Sequence, residues 1–586
     1  MSENPAALDE HFARLMGELH GPESADIESA ARTLSQWRRG GHVCVPPEAL
    51  GISAERLRAS PVVGAPGEWK PLILDQAGRL YLQRYWQYER ELADSLRRRM
   101  AQPAEFDGAL LAKGVSTLLA PADADQRRAA ETAVQRRFCV ITGGPGTGKT
   151  HTIAIILALL QAQAEAAGQP FRVALAAPTG KAAARMKSAM TEALARHPAL
   201  SALAEKLPTD ARTIHRLLGS RGDSPFFRHD RERPLSADVV VIDEASMVDL
   251  ALMAKLVAAV PEHARLILLG DKDQLASVEA GNVLGDICDV SGAGGLDPAI
   301  VELTINRRFG NESALYRLSR LVNASDADGA LALLDAAASA MSPGSVRPQR
   351  KARVAEAQTV FSFESGDADR ATVSVRARSL PARSDFETAL REHVTAGFQA
   401  LLTAKDPATA ILHLHDFRIL CALRVGPFGV VRLNELAQNA LADAGLIDPA
   451  ATHYRGRPIL ILENDYQLKL FNGDTGVLLA DEADGELRAY FPGENGTLRR
   501  LLPARLPAHE TVFAMTVHKS QGSEFRRVLF ILPDRETPVL TRELVYTGLT
   551  RARDAVELWH DEAVLRSAIA HGVTRTSGLR DALWKA

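Results

Sequence analysis

Short unbroken apolar runs, each closing on a small, polar or acidic residue, recur along the chain. F-C-V-I-T at 138–142, V-V-V-I at 239–242 and L-I-L-L at 266–269 are the clearest. Runs of this length and β-branched content predict strands buried on both faces, hence a parallel sheet. The first run is followed by I-A-I-I-L-A-L-L from Ile153, apolar all round and too long for a strand, which predicts a buried helix. R-I-L-C-A-L at 418–423 reopens the α/β pattern. Then P-I-L-I-L-E-N-D-Y, K-L-F-N-G-D-T-G-V-L-L and L-R-A-Y-F-P, spaced by Asn-Gly and Asp-Gly-type turns, predict short antiparallel strands.

This punctuation divides the chain. Residues 1–115 precede the first strand and read as a helical N-terminal domain. Residues 116–306 form one α/β domain, and 307–449 with 509–586 form a second. Residues 450–508 read as a small β-barrel-like, SH3-like insertion. L-Y-L-Q-R-Y-W-Q-Y-E-R-E-L puts Tyr81, Tyr85, Trp86 and Tyr88 on adjoining faces of a predicted helix. That is the pattern of a core or interface rather than of a base-stacking platform. From 341 to 385 the periodicity dissolves into Pro, Ser and Arg, including R-P-Q-R-K-A-R, as in a surface insertion or linker.

The chemistry gathers at the ends of the apolar runs. Gly143, Gly144, Pro145, Gly146, Thr147, Gly148, Lys149 and Thr150 spell G-x-x-x-x-G-K-[ST] between a predicted strand and a predicted helix. Glycines there let backbone N–H groups turn inward around phosphates, and the helix N-terminus adds favourable partial charge. Lys149 is the group to reach the β/γ-phosphates of ATP, and the Thr150 hydroxyl is the Mg²⁺ ligand. Asp243 and Glu244 close the second strand, where open α/β sheets carry ligand-handling groups. Asp243 is placed to hold Mg²⁺ and Glu244 to orient or deprotonate the attacking water, unless the pair merely caps the A-S-M turn that follows. Gln274, in G-D-K-D-Q, could sense a γ-phosphate or sit in an ordinary Gly/Asp turn. T-V-H-K-S-Q-G-S-E-F at 516–525 follows a further apolar run. Thr516, His518 and Ser520 are its polar side chains and Gln521-Gly522 its turn, so it could hold a nucleic-acid backbone or be a plain polar turn.

Composition limits the reading. The 586 residues are 46% hydrophobic with a net charge of −3, so a phosphate-tracking groove must be a local feature such as Lys181, Arg185 and Lys187. Cys44, Cys139, Cys288 and Cys421 are isolated, which offers no zinc or iron–sulfur spacing and suits a reducing, cytoplasmic compartment. No signal pattern or membrane-length apolar run is present, so a membrane role is not expected.

The order of these motifs resembles the superfamily-one helicases of the RecD type, the alpha subunits of exodeoxyribonuclease V. G-G-P-G-T-G-K-T at 143–150, A-P-T-G-K-A-A at 177–183, T-I-H-R-L-L-G at 213–219 and V-I-D-E-A-S-M-V-D at 241–249 carry the resemblance, with L-G-D-K-D-Q-L-A-S-V-E-A-G at 269–281. R-R-F at 307–309, T-V-H-K-S-Q-G-S-E-F and Y-T-G-L-T-R-A-R at 546–553 complete it. The resemblance implies that Gln126 reads adenine and that Glu524 binds the ribose. It implies DNA contacts for Thr179, Lys181, Thr213 and His215, alongside Thr516, His518 and Ser520. Arg308 and Arg551 match the two arginines that reach the γ-phosphate, although Arg307 stands where the family often has an aromatic, which leaves the choice between Arg307 and Arg308 open.

The expected molecule has two RecA-like parallel-sheet P-loop domains with ATP between them and single-stranded DNA across both. The resemblance makes it a 5′-to-3′ translocase and helicase, the motor of a heterotrimer with beta and gamma subunits that processes double-strand DNA ends. A standalone RecD-like helicase, a nucleotide-dependent switch that does not translocate and a small-molecule kinase are the alternatives. No carboxylate cluster beyond those of the ATPase is readable, which places the nuclease of such a complex in a partner. The first 115 residues are then the docking surface.

Overall fold

The computed structural model describes residues 6–196, 198–201, 206–207, 209–222, 224–290, 299–308, 310, 312–339, 373–448, 450–465, 467–493 and 497–585. The backbone falls into two units, 1–305 with 574–586, and 306–573.

The first unit opens with helices and a small mixed sheet. Its strands are β1 (Cys44–Val45), β2 (Val63–Gly64), β3 (Leu72–Leu74) and β4 (Leu80–Leu82), in the order β1-β4-β3-β2. The region is therefore not purely helical, and Tyr81 lies on β4 rather than on the helix Gln83–Ala101. Strands of two or three residues are too short for alternation to register against a helical background. The P-loop sheet follows with β5 (Phe138–Thr142), β6 (Val173–Ala177), β7 (Ala211–Thr213), β8 (Val239–Ile242), β9 (Arg265–Gly270) and β10 (Ile300–Glu302). All its pairings are parallel, in the order β10-β5-β9-β8-β6-β7. The expectation from continuous apolar runs holds, since every residue of β5 and β8 is buried.

The N-terminal region and the sheet share one core. Ile73, Tyr81, Leu92 and Leu96 pack in the same apolar cluster as Val240, Ile242, Leu266 and Leu268, joined by Leu579 and Leu583 from the C-terminus. Buried Arg99 donates to the carbonyls of Val260, Pro261 and Ala264. Residue 115 is thus no seam, and residues 574–586 belong with the first unit although the sequence reading ended the second domain at 586.

In the second unit, β11 (Ser374–Ser379) and β12 (Phe417–Cys421) start a sheet that an insertion interrupts. The insertion comprises β13 (Pro458–Ile461), β14 (Thr475–Ala480), β15 (Leu487–Pro492), β16 (Leu498–Leu501) and β17 (His509–Thr511), all antiparallel, in the order β16-β15-β14-β13-β17. The chain then returns through β18 (Ala514–Thr516), β19 (Phe525–Ile531) and β20 (Ala552–His560), giving an all-parallel sheet in the order β11-β20-β19-β12-β18. Alternation on β14 fixes the insertion. Val477 and Leu479 enter the core around Phe417 and Trp559, whereas Leu478 enters the insertion's own core with Ile459 and Phe491. The linker expected over 341–385 needs correcting where it is described, because 374–379 is edge strand β11 and a helix starts at Arg383. R-P-Q-R-K-A-R falls outside the described residues.

Candidate nucleotide and nucleic-acid site

The phosphate loop joins β5 to the helix Lys149–Ala166. Gly146 and Gly148 are left-handed, at φ +83° and +88°, and the Gly143 N–H donates to the Gly270 carbonyl at 3.2 Å. A Cβ on Gly143 would stand 2.8 Å from the Leu303 carbonyl oxygen, so the loop runs too close to its neighbours for any side chain there. The first turn of the helix carries no side-chain cap, which leaves its N–H groups facing the loop. Lys149 Nζ donates to the Gly143 and Gly144 carbonyls at 2.5 and 3.2 Å, and the Thr147 hydroxyl donates to Gly144 at 2.9 Å. A phosphate in this cradle would take over the ammonium from neutral carbonyls, a gain in charge pairing that the loop supplies without refolding.

Asp243 follows β8 directly, and its carboxylate accepts the Glu244 N–H at 2.8 Å. Burial, then the neighbouring Glu244 carboxylate, push Asp243 upward, while the charges of Lys149 and Arg185 pull it back. Arg185, on the helix Gly180–Arg196, thus bears on the electrostatics of this site, whereas the sequence offered it as part of a local phosphate-tracking groove. Glu244 sits at φ +52°, a left-handed backbone that non-glycine residues adopt at a cost. It stands at the cap position of the turn Ala245–Met247, yet its side chain makes no cap bond, so the capping alternative does not describe it. Gln274 is buried and donates through Nε2 to Asp271 at 2.9 Å, which fixes the amide's direction. Gln126 is buried on the helix Ala124–Gln135, where the adjacent Asp125 accepts the N–H and hydroxyl of Thr304 at 2.9 and 2.6 Å.

Thr179 and Thr213 both accept the N–H three residues on, from Ala182 and Arg216, at 3.2 Å each. Lys181 lies in the first turn of the helix Gly180–Arg196. His215 meets the edge of Phe227 at 5.7 Å. Partial burial first lowers its pKa, with the Asp249 charge opposing and the Lys255 charge adding to the shift.

In the second unit the segment 516–525 closes on itself. Thr516 accepts the Lys519 N–H at 3.3 Å, His518–Ser520 form one tight turn, and Gly522 supplies a left-handed φ of +70°. Ser520 requires a correction: it is fully buried and its hydroxyl donates to the Val517 carbonyl at 2.7 Å, so it shapes the turn rather than presenting itself to a strand. Lys519 Nζ reaches Asn472 in the insertion at 2.9 Å. At the segment's far end, Arg308 pairs with Glu524 at 2.8 Å. Arg551 is 2% exposed, bonding through Nε to the Thr547 carbonyl at 3.1 Å and through Nη1 to Ser523 at 3.3 Å. Both arginines converge on Ser523–Glu524. Arg307 is exposed and Arg308 half-buried. Arg551 is thus held by carbonyls of its own unit.

Two residues that hold this segment are invisible as sequence motifs. Asn434 accepts the N–H groups of Phe513 and Ala514 at 2.9 and 3.0 Å, and donates to the Ala514 and Val430 carbonyls at 3.0 Å each. Arg418, fully buried on β12, donates to the carbonyls of Leu414 and Val512, and burial lowers its pKa to about 9. Together they aim the strand that delivers Thr516.

The chain is similar to several known proteins. A family model described as an AAA domain matches residues 126–280, and one described as a UvrD-like helicase C-terminal domain matches 511–558. The chain is 40% identical to the "RecBCD enzyme subunit RecD" of Mycobacterium tuberculosis, over 98% of this chain and 94% of the relative. It is 35% identical to the Haemophilus influenzae protein of the same name, over 78% and 71%. The "ATP-dependent RecD2 DNA helicase" of Deinococcus radiodurans is 30% identical over 81% of this chain and 54% of its own. With two relatives of one name aligned over most of its length, the chain belongs to the RecD family of DNA helicases.

Proposed function

We propose that this chain, an ATP-dependent DNA helicase of the RecD family, moves 5′ to 3′ along single-stranded DNA at duplex ends as one subunit of a heterotrimeric helicase–nuclease. The names of its relatives support the partners, here the beta and gamma chains. No described helix is long and apolar enough to cross a membrane, and we place the work in the cytoplasm.

One observation carries the coupling of DNA to ATP. The segment that starts at Thr516 with hydroxyl and imidazole groups ends at Ser523–Glu524, where Arg308 pairs with the Glu524 carboxylate and Arg551 donates to the Ser523 carbonyl. A strand held by Thr516 and His518 through phosphate or sugar, indifferent to sequence, pulls on the backbone that positions those arginines. In the first unit, Gln126 holds adenine, Lys149 and the loop N–H groups hold phosphates, Glu244 orients water, and Gln274 follows the γ-phosphate. Thr179, Lys181, Thr213 and His215 contact the strand. Glu524 exchanges Arg308 for the ribose when nucleotide arrives, which releases the guanidinium for the γ-phosphate. Arg551 contributes the second positive charge.

The Thr150 hydroxyl and the Asp243 carboxylate are oxygen donors of the kind Mg²⁺ takes in phosphoryl transfer, and the upward push on Asp243 is what a bound cation would relieve. Mg²⁺ there would neutralise charge on the β- and γ-phosphates.

The test is His518→Ala in the full chain. DNA-stimulated ATP hydrolysis should persist while strand movement per ATP falls; unwinding per ATP equal to wild type removes the segment from the coupling.

A further inference from the structure

The last residues of the chain do more than end it. Thr574–Ala586 leaves the second unit and closes on the first, where it meets both the N-terminal region, at His42, Val43, Arg79 and Glu89, and the backbone that follows Gln274. Arg575 Nη1 donates to two carbonyls of that loop at once, Glu279 at 2.7 Å and Gly281 at 2.9 Å. The guanidinium lies against Gly41, where a Cβ would stand 3.0 Å from it, and the Gly281 N–H donates to the Gly41 carbonyl at 2.9 Å. Gly281 and Gly41 are both left-handed, at φ +103° and +88°. The loop is thus threaded between an N-terminal turn and one C-terminal arginine.

The residues after Arg575 lock the arrangement. Thr576 donates its N–H to His42 at 3.0 Å, and its carbonyl accepts the Val43 N–H at 2.9 Å. Ser577 donates to Asp286 at 2.7 Å on the helix Val283–Cys288, which continues the same loop. Gly578 donates to Glu89 at 2.9 Å, and Leu579 and Leu583 are buried in the core. Upstream, the Val573 N–H donates to Glu543 at 2.8 Å, in the first turn of the helix Arg542–Leu549, whose far end leads to Arg551. One residue, Thr574, therefore separates Val573, bonded to the helix before Arg551, from Arg575, bonded to the loop after Gln274.

We propose that the C-terminal segment 574–586 positions the γ-phosphate-sensing loop, with Arg575 as the positioning residue that fixes the backbone of 279–281. The proposal rests on Gln274 being the sensor. A sensing amide acts only if its loop returns to one place in each cycle; a charge-assisted bridge to two carbonyls holds that place. The segment touches no nucleotide group in this account. It acts through the loop.

The full chain with Arg575→Ala should show kcat for DNA-stimulated ATP hydrolysis lowered about tenfold, less than the roughly hundredfold that a ~1 Å misplacement of a reacting group can cost. ATP affinity should stay within about twofold and Tm near wild type, because Leu579 and Leu583 still anchor the segment. Arg575→Lys, which can bring one cation to both carbonyls, should recover most of the rate. Amide hydrogen exchange should speed up over 279–286 and not over β5. Wild-type kcat in Arg575→Ala, unchanged exchange in the loop, or a loss in which kcat, affinity and Tm fall together would overturn the proposal. Gln274→Ala separates the two claims: a wild-type kcat there sinks the sensor reading, and this proposal with it, whereas a slow Gln274→Ala beside a normal Arg575→Ala sinks this proposal alone.

Discussion

At the scale of single residues, the roles divide between groups that the sequence spaces for chemistry and groups that only the fold brings to bear. Lys149 is of the first kind. Its ammonium bonds to two loop carbonyls, so Lys149→Ala loses little that folding needs. Measured together, ATP turnover should vanish while Tm stays within a few degrees; a folded variant with normal turnover contradicts the assignment. Arg308 and Glu524 were legible only as separate motif positions, and their ion pair was not. Glu524→Gln removes the parking charge without changing shape. It should raise ATP hydrolysis without DNA relative to hydrolysis with it, as a narrowed stimulation ratio in steady-state assays; an unchanged ratio denies the pair a gating role. Arg551 shows why a motif alone misleads about geometry. T-R-A-R marks the residue, but only the fold reveals that its Nε and Nη1 donate to carbonyls of its own unit.

At the scale of elements, the strands β5, β8 and β9 were readable because burial on both faces leaves an unbroken apolar run. The insertion was readable because its turns carry Asn-Gly and Asp-Gly-type steps. Edge strand β11, S-V-R-A-R-S, was not, since alternating arginines look like a linker until β20 pairs with them. Asn434 and Arg418 interrupt apolar patterns and would be scored as defects, yet each satisfies backbone groups where the chain returns from the insertion. Asn434→Ala would orphan two N–H groups and a carbonyl in the core. At 1–3 kcal/mol for each orphaned group, partly relieved by water entry, a loss of about 3 kcal/mol is expected in denaturant titration. A loss below about 1 kcal/mol would show that the segment finds other partners.

Two acids bear on the C-terminal segment. Burial is the first cause pushing Glu89 and Asp286 each up to about 7. A carboxyl that ionises near 4 when unfolded but near 7 when folded makes the folded state bind more protons, so stability falls as pH rises from about 4.5 to 7 and then levels. Asp286→Asn should flatten part of that decline in Tm against pH. A slope identical to wild type would remove Asp286 as its source.

At the scale of the whole molecule, a shared core changes how assembly should be probed. Tyr81, Leu92 and Leu96 pack with the P-loop sheet, so deleting residues 1–115 would unfold the motor rather than expose a missing dock. Surface substitutions such as Trp69→Ala, at a side chain 84% exposed, are the sound way to test partner binding. The purified chain, incubated with linear DNA, Mg²⁺ and ATP, should hydrolyse ATP without shortening the DNA; degradation by the lone chain would place the nuclease here. The most direct test of the central claim is single-strand translocation with ATP consumption recorded on the same sample, for wild type and His518→Ala. The account predicts 5′-to-3′ movement by wild type, and a variant that still consumes ATP on DNA but moves less far for each molecule spent. Movement per ATP unchanged in a folded His518→Ala, or no movement by wild type despite DNA-stimulated hydrolysis, would contradict it.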